Sequence, residues 1–361
     1  MVSKVKRKNY GIDILRTIAM LMIIVLHLLG NGGVLSNLSR GTVNYYIMWL
    51  LEIFCYCAVN CYAIISGYVG YLKDNRFSKI LYLYVQAVFY LILPAVCFTV
   101  FNFSDAGISM FIQAFLPFTV KQYWYFTSYL CLFFMMPILN MVAEMISKKK
   151  YRCFLIIFFI LFSITPTLLN TDIFFTGSGY SPIWLAYMYL IGAYIKKYEV
   201  NLKRQIILVG YILCVVLTFT LKMIVEKITS VIYGEPRGSL IFINYTSPLF
   251  VIAAICLVIF FSRQTIKNIS GKFISKLGKY TFGVYLIHTS PLIWNIYSNR
   301  IWKILTYTAP VNILIVCIIT VGFFGVCIIL EYIRTKLFIF FHVKQLCEKI
   351  QFNAWDNGMK E

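Results

Sequence analysis

The sequence is poor in charge and nearly bare of histidine. Charged side chains make up 13% of its 361 residues, about half the share found in ordinary soluble domains, and only three histidines occur. No segment is polar enough to read as a soluble domain, so a single membrane-embedded domain is expected over residues 1–361. A small-x-small cleavage site is also missing after the first apolar run. That run carries Asp13 and Arg16 and is expected to remain as a helix, not to be removed as a signal peptide. The eleven cysteines lack zinc-site spacing: Cys55-x-Cys57 and Cys57-x-x-x-Cys61 have no histidine partners, and most of the others lie within apolar runs, where cysteine behaves as a small apolar residue. No metal is expected, and no repeat of fixed period is visible.

What the chain has is apolar length and positive charge. Apolar residues make up 61% and the mean hydropathy is +0.80. Runs long enough to span a bilayer recur throughout, at about 12–29, 45–66, 79–101, 123–146, 152–169, 181–196, 204–222, 244–262, 280–297 and 309–339. The expected fold is all-α, a polytopic membrane bundle of about ten helices. Lys4, Lys6, Arg7 and Lys8 in the basic segment 1–10 favour a cytoplasmic start. With ten spans, 25 of the 33 Lys and Arg residues fall on the cytoplasmic side and 7 outside, Arg16 being within a span. Both termini, including a tail from about residue 340 to 361, are therefore expected inside. The net charge of +20 then reads as an orientation signal plus attraction to anionic membrane lipids, and no nucleic-acid partner is implied.

Ionisable residues inside such spans are informative, because a charge at a membrane-helix centre costs about 2.5–3.5 kcal/mol on insertion scales. Arg16 and His27 share one helix face and stand roughly 16 Å apart along its axis. Depth alone suggests Glu52 as the carboxylate that orients His27. His288 is expected near the midplane of the ninth span, and Trp124 and Tyr125 at the outer end of the fourth.

The run Tyr10-Gly11-Ile12-Asp13-Ile14-Leu15-Arg16, followed by His27, resembles the opening of the membrane-bound acyltransferase 3 family. Ile65-Ser66-Gly67-Tyr68 resembles the Ser-Gly turn ending that family's second span. Trp124-Tyr125-Phe126, Pro137 and Tyr285-Leu286-Ile287-His288 resemble its later motifs, so the likeness covers nearly the whole chain. The resemblance implies transfer of an acyl group, most often acetyl, from cytoplasmic acyl-CoA as co-substrate to a hydroxyl of a glycan or lipid-linked saccharide. It makes His27 the essential histidine. The family's Arg-x-x-Arg motif falls on Arg76-Phe77-Ser78-Lys79, where lysine replaces the second arginine and supplies a point charge without a bidentate fork. Arg16, Arg76 and Lys79 are the expected CoA-phosphate residues. Trp124, Tyr125 and His288 are expected at the acceptor. Relatives often carry a fused extracytoplasmic hydrolase-like domain, so the transfer is completed either by the membrane domain itself or by a separate extracytoplasmic transferase.

Duller roles compete for each residue. His27 and His288 can bond neighbouring helices, Arg16 can pair with Asp13, and Arg76 and Lys79 can serve orientation alone. Trp124 and Tyr125 can be interfacial aromatics. Two other function classes remain open: a transporter or flippase for a glycan intermediate, and a non-catalytic sensor or assembly subunit.

Overall fold

The computed structural model describes residues 9–73, 76–100, 108–264 and 268–350. Lys4, Lys6, Arg7, Lys8, Lys267 and Lys360, which enter the charge argument, lie outside the described residues. All described regular structure is helical. The principal helices are α1 (Tyr10–Leu29), α2 (Val43–Cys55), α3 (Ala58–Gly70), α4 (Phe77–Val100), α5 (Trp124–Met145) and α6 (Lys148–Phe159). They continue with α7 (Pro182–Tyr198), α8 (Arg204–Tyr233), α9 (Pro248–Ser262), α10 (Asn268–His288), α11 (Pro291–Tyr297) and α12 (Ala309–Phe340). A π-turn at Ile160–Ile164 carries α6 on to Thr165–Leu169.

A helix runs through each expected span, although turns at 56–57, 244–247 and 289–290 shorten or interrupt three of them, and the number of long apolar helices needs correction. Among the described residues seven helical segments, not ten, are long and apolar enough to cross a membrane. The three that fall short fail for different reasons. Helices α7 and α9 have 17 and 15 residues and pack in the interior, where protein neighbours remove the need to match lipid thickness. Helix α10 is long enough at 21 residues, but its first half, Asn268 to Lys279, is too polar.

Helix α10 also corrects the bounds of the ninth run. The expected run 280–297 is broken after His288 by Pro291, which opens α11 and cannot continue a helix. The helix begins twelve residues before the expected start, and His288 is its last residue.

Close crossings hold the centre. A Cβ on Gly67 would overlap the Tyr189 carbonyl, and one on Gly192 would overlap that of Ile64. Glycine on both helices is what lets α3 and α7 meet backbone to backbone. Nearby, the buried Asn60 donates to the Tyr245 carbonyl (2.8 Å) and accepts from the Trp184 indole (3.0 Å), tying α3, α7 and the 244–247 turn together. Helix α1 lies along α10, where Gly278 faces Asp13.

Candidate active site

A cavity of about 310 Å³ opens between α1, α3, α5 and α10. Helix α1 lines it with Arg16, Met20, Ile23 and His27, spaced four, three and four residues apart, which is one helical stripe. Helix α10 answers with Gly278, Phe282 and Tyr285 at the same periodicity. The cavity therefore runs along α1 for roughly 16 Å. Arg16 and Lys279 stand at one end, and His27 stands towards the other with Trp124 and Tyr245 also on the wall. Between them the wall is mainly apolar, including Val59, Ile65 and Leu83.

His27 is half-buried and its Nδ1 lies 3.0 Å from His288 Nε2. His288 is fully buried, and its Nδ1 lies 2.7 Å from the Val284 carbonyl, four residues earlier on α10. These two distances fix the protons of the neutral pair. A carbonyl only accepts, so His288 Nδ1 carries hydrogen and its Nε2 presents a lone pair. His27 Nδ1 must then donate to that lone pair. His27 Nε2 is left unprotonated, with no protein partner among the described residues. A free imidazole lone pair on a cavity wall is the group a general base requires. Trp294 packs edge-on against His27 at 5.0 Å and limits its rotation.

The expected partner of His27 is thereby corrected. Glu52 is buried near Tyr56 and Tyr245, and its Oε2 has no hydrogen-bond partner. His288, not Glu52, meets the His27 ring. Depth along the membrane normal says nothing of direction around a helix, so equal depth did not imply contact. A neutral histidine also orients its neighbour without placing a second buried charge beside it, which apolar surroundings penalise.

Arg16 donates to Asp13 at 2.8 Å, and its backbone carbonyl accepts from the Tyr62 hydroxyl at 2.5 Å. Its side chain is 26% exposed and reaches the cavity despite the ion pair. Arg76 and Lys79 are exposed at the start of α4 and are absent from the cavity wall. Lys79 nevertheless lies one turn before the wall residue Leu83 on the same helix face. Trp124 and Tyr125 both line the cavity, and Tyr125 stacks on Tyr129. His288 stands behind His27 instead of on the wall. Lys279 was legible only as an orientation charge. Stepping back from His288 by threes and fours gives Tyr285, Phe282 and Gly278, with Lys279 adjacent, and that periodicity was the signal available. Tyr62, Tyr129 and Tyr245 had no local signal. Among the described residues no cluster of His, Cys, Asp or Glu is placed to hold a metal ion.

A family model for an acyltransferase domain, that of the acyltransferase 3 family, matches residues 9–332. The chain belongs to the acyltransferase 3 family. No curated protein and no solved structure matches. The matched residues include the whole cavity, so both histidines and both cations at its Arg16 end belong to the family's domain.

Proposed function

We propose that this acyltransferase-family chain moves an acyl group, acetyl above others, from acyl-CoA to a hydroxyl of an envelope, capsular or exopolysaccharide glycan. One observation carries the reading: a single cavity joins a cationic end, Arg16 and Lys279, to an unprotonated His27 Nε2 roughly 16 Å away. The cations, with Lys79 and Arg76 at the exposed start of α4, suit the phosphates of CoA. The apolar stretch suits an extended pantetheine arm, which brings the thioester to His27. Trp124 and Tyr245, with rings 6.0 Å apart and near parallel, offer faces to a sugar.

The steps balance without an additional reagent. His27 Nε2 takes the proton of the acceptor hydroxyl as its oxygen attacks the thioester carbon. The tetrahedral intermediate collapses, the carbon–sulfur bond breaks, and the departing thiolate takes the proton from His27 Nε2. An ester and free CoA result, and His27 returns to its starting tautomer.

The reading counts the shorter α7 and α9 and the partly polar α10 as crossings beside the seven longer segments, with both termini inside a cell membrane and the Arg16 end of the cavity facing the cytoplasm. An impermeant thiol reagent should label Glu235→Cys from outside and miss Lys149→Cys, once the exposed Cys131, Cys153 and Cys317 are replaced by alanine. Inverse labelling would reverse the assignment.

Activity is tested in cells carrying the wild type or His27→Ala at matched membrane abundance, by mass spectrometry of ester-linked acyl groups on surface polysaccharide. Turnover should fall about 10²- to 10⁴-fold, the scale of a general base. Unchanged acylation would remove His27 from the chemistry. Purified chain that cleaves acyl-CoA but esterifies no glycan would assign completion of the transfer to a separate extracytoplasmic protein. Loss of the whole chain without any change in acylation would favour transport or sensing.

A further inference from the structure

A second cavity, of about 300 Å³, opens at the end of the bundle where α1 begins. The ends of α3, α7 and α9 meet there, and Tyr68, Lys196, Glu199, Asn201, Ser262 and Arg263 supply its polar wall. The Ile65–Tyr68 run of α3 serves both spaces, with Ile65 and Ser66 on the main cavity and Tyr68 on this one. Asn9 joins the wall to α1. Its side chain caps that helix by accepting from the Ile12 amide (3.3 Å), and it donates to the Tyr68 hydroxyl (3.4 Å) and the Ser262 carbonyl.

Both signs of charge line this wall without neutralising one another. Lys196 and Glu199 are three residues apart, a spacing at which helical ion pairs form, yet among the described residues neither makes one. Lys196 lies instead over the Tyr68 ring at 5.1 Å. Glu199 ends α7 in the left-handed region at φ 45°, which glycine adopts freely and glutamate does not. A glycine would close the helix with less strain but would bring no carboxylate to the cavity. Arg263 spends one N–H on the Leu202 carbonyl and keeps the rest of its fork. Two cations and one carboxylate thus stand around a space of small-ligand size.

That set of groups suits a ligand that is itself a zwitterion. A phosphate matches the Lys196 ammonium and the Arg263 guanidinium, and a primary ammonium matches the Glu199 carboxylate. A simple anion would leave that carboxylate facing like charge. Location indicates what carries the zwitterion. The cavity lies at the ends of helices in a membrane bundle. Helix α8 starts three residues past Asn201 and carries exposed Ile206, Val209, Leu213 and Val216, an apolar stripe at helical spacing. A headgroup in the cavity with its chains along apolar helix surface is the layout of a bilayer phospholipid.

We infer that this cavity binds a phospholipid with a phosphoethanolamine headgroup, and that the bound lipid steadies the start of α1. The inference goes beyond the acyl-transfer reading and needs only the membrane placement of the chain. A filled site holds Tyr68 and Ser262, the two partners of the Asn9 cap, and Asn9 stands two turns before Arg16 on the helix that also carries His27.

The test is native mass spectrometry of the full chain released from detergent, with phosphatidylethanolamine, phosphatidylglycerol and phosphatidylcholine in equal amounts, beside its unfolding temperature in each. Phosphatidylethanolamine should be retained about two- to fivefold over either of the others, the scale of one exposed ion pair, and should raise the unfolding temperature most. Phosphatidylglycerol lacks the ammonium, and phosphatidylcholine lacks N–H groups to bond Glu199. Glu199→Gln should erase the preference over phosphatidylglycerol, and Lys196→Gln/Arg263→Gln should weaken retention of all three. Glu199→Gly should lose the preference while raising the lipid-free unfolding temperature, because the left-handed backbone is relieved. A preference absent from the wild type, or intact in Glu199→Gln, would overturn the site. Displacement of the lipid by millimolar glycerophosphoethanolamine would assign the cavity to a soluble ligand and overturn the lipid. His27→Ala should keep the preference, so failure of this site and failure of the acyl-transfer reading are told apart.

Discussion

Two buried polar clusters in this molecule are built in opposite ways. At the end of α12, Glu331 and Arg334 form a 2.6 Å ion pair that Gln86 and Tyr90 on α4 close off from one side and the Tyr82 hydroxyl from the other. The arginine further covers the Phe338 ring at 4.3 Å. At the end of α1, His27 and His288 carry no net charge when neutral, and their chain of bonds stops at an unused nitrogen. The first cluster is saturated and joins two helices. The second is saturated on every side but the one where the cavity lies. In a low-dielectric interior a polar group without a partner is costly, so a free lone pair on a cavity wall indicates chemistry, and a closed network indicates architecture.

Breaking the saturated cluster should have the larger effect on the whole protein. Arg334→Leu leaves the Glu331 carboxylate buried and unpaired, which costs about 3–5 kcal/mol and should appear as lost membrane abundance or a lowered unfolding temperature. Arg334→Leu combined with Glu331→Leu should recover much of that loss, because the desolvated charge is gone. Failure of the double variant to recover would give the pair a role beyond architecture.

The open cluster should respond differently, in rate and not in abundance. His288→Leu removes the acceptor that fixes the His27 tautomer. It should lower kcat roughly ten- to a hundredfold, the scale for removing a group that orients a histidine ligand, with KM for acyl-CoA unchanged. His288→Gln keeps an acceptor oxygen and should recover part of the rate. Equal losses in both variants, or a fall in abundance, would make His288 a packing residue. Smallest is the effect expected of Glu52→Gln: no hydrogen bond joins Glu52 to His27, so turnover should change less than about threefold. A loss comparable to that of His288→Leu would restore Glu52 as a functional partner.

Much of the site's raw material is legible in one dimension. Arg16 and His27 are on a common stripe because a helix fixes the angle between residues eleven apart, and both line the cavity. Trp124 and Tyr125 open a helix at the expected place and also line it. The partner of His27 was not legible, since contact between α1 and α10 depends on which way each helix turns its face. The position of His288 was obscured by the polar first half of α10, whose low hydropathy hid a full-length helix. Lys279 was hidden in the same stretch. Arg76 and Lys79 carry the expected charge, but only the fold shows that they do not line the cavity.

The sequence by itself determined an all-helical chain made of long apolar segments and the face of α1 that carries Arg16 and His27. Hydropathy and helical periodicity are local properties and survive in a linear reading. Only the tertiary structure decided that His288 meets His27 and that its bond to the Val284 carbonyl leaves His27 Nε2 free. Those relations join residues up to 261 positions apart, and they depend on helix rotation and close packing, which no local pattern encodes.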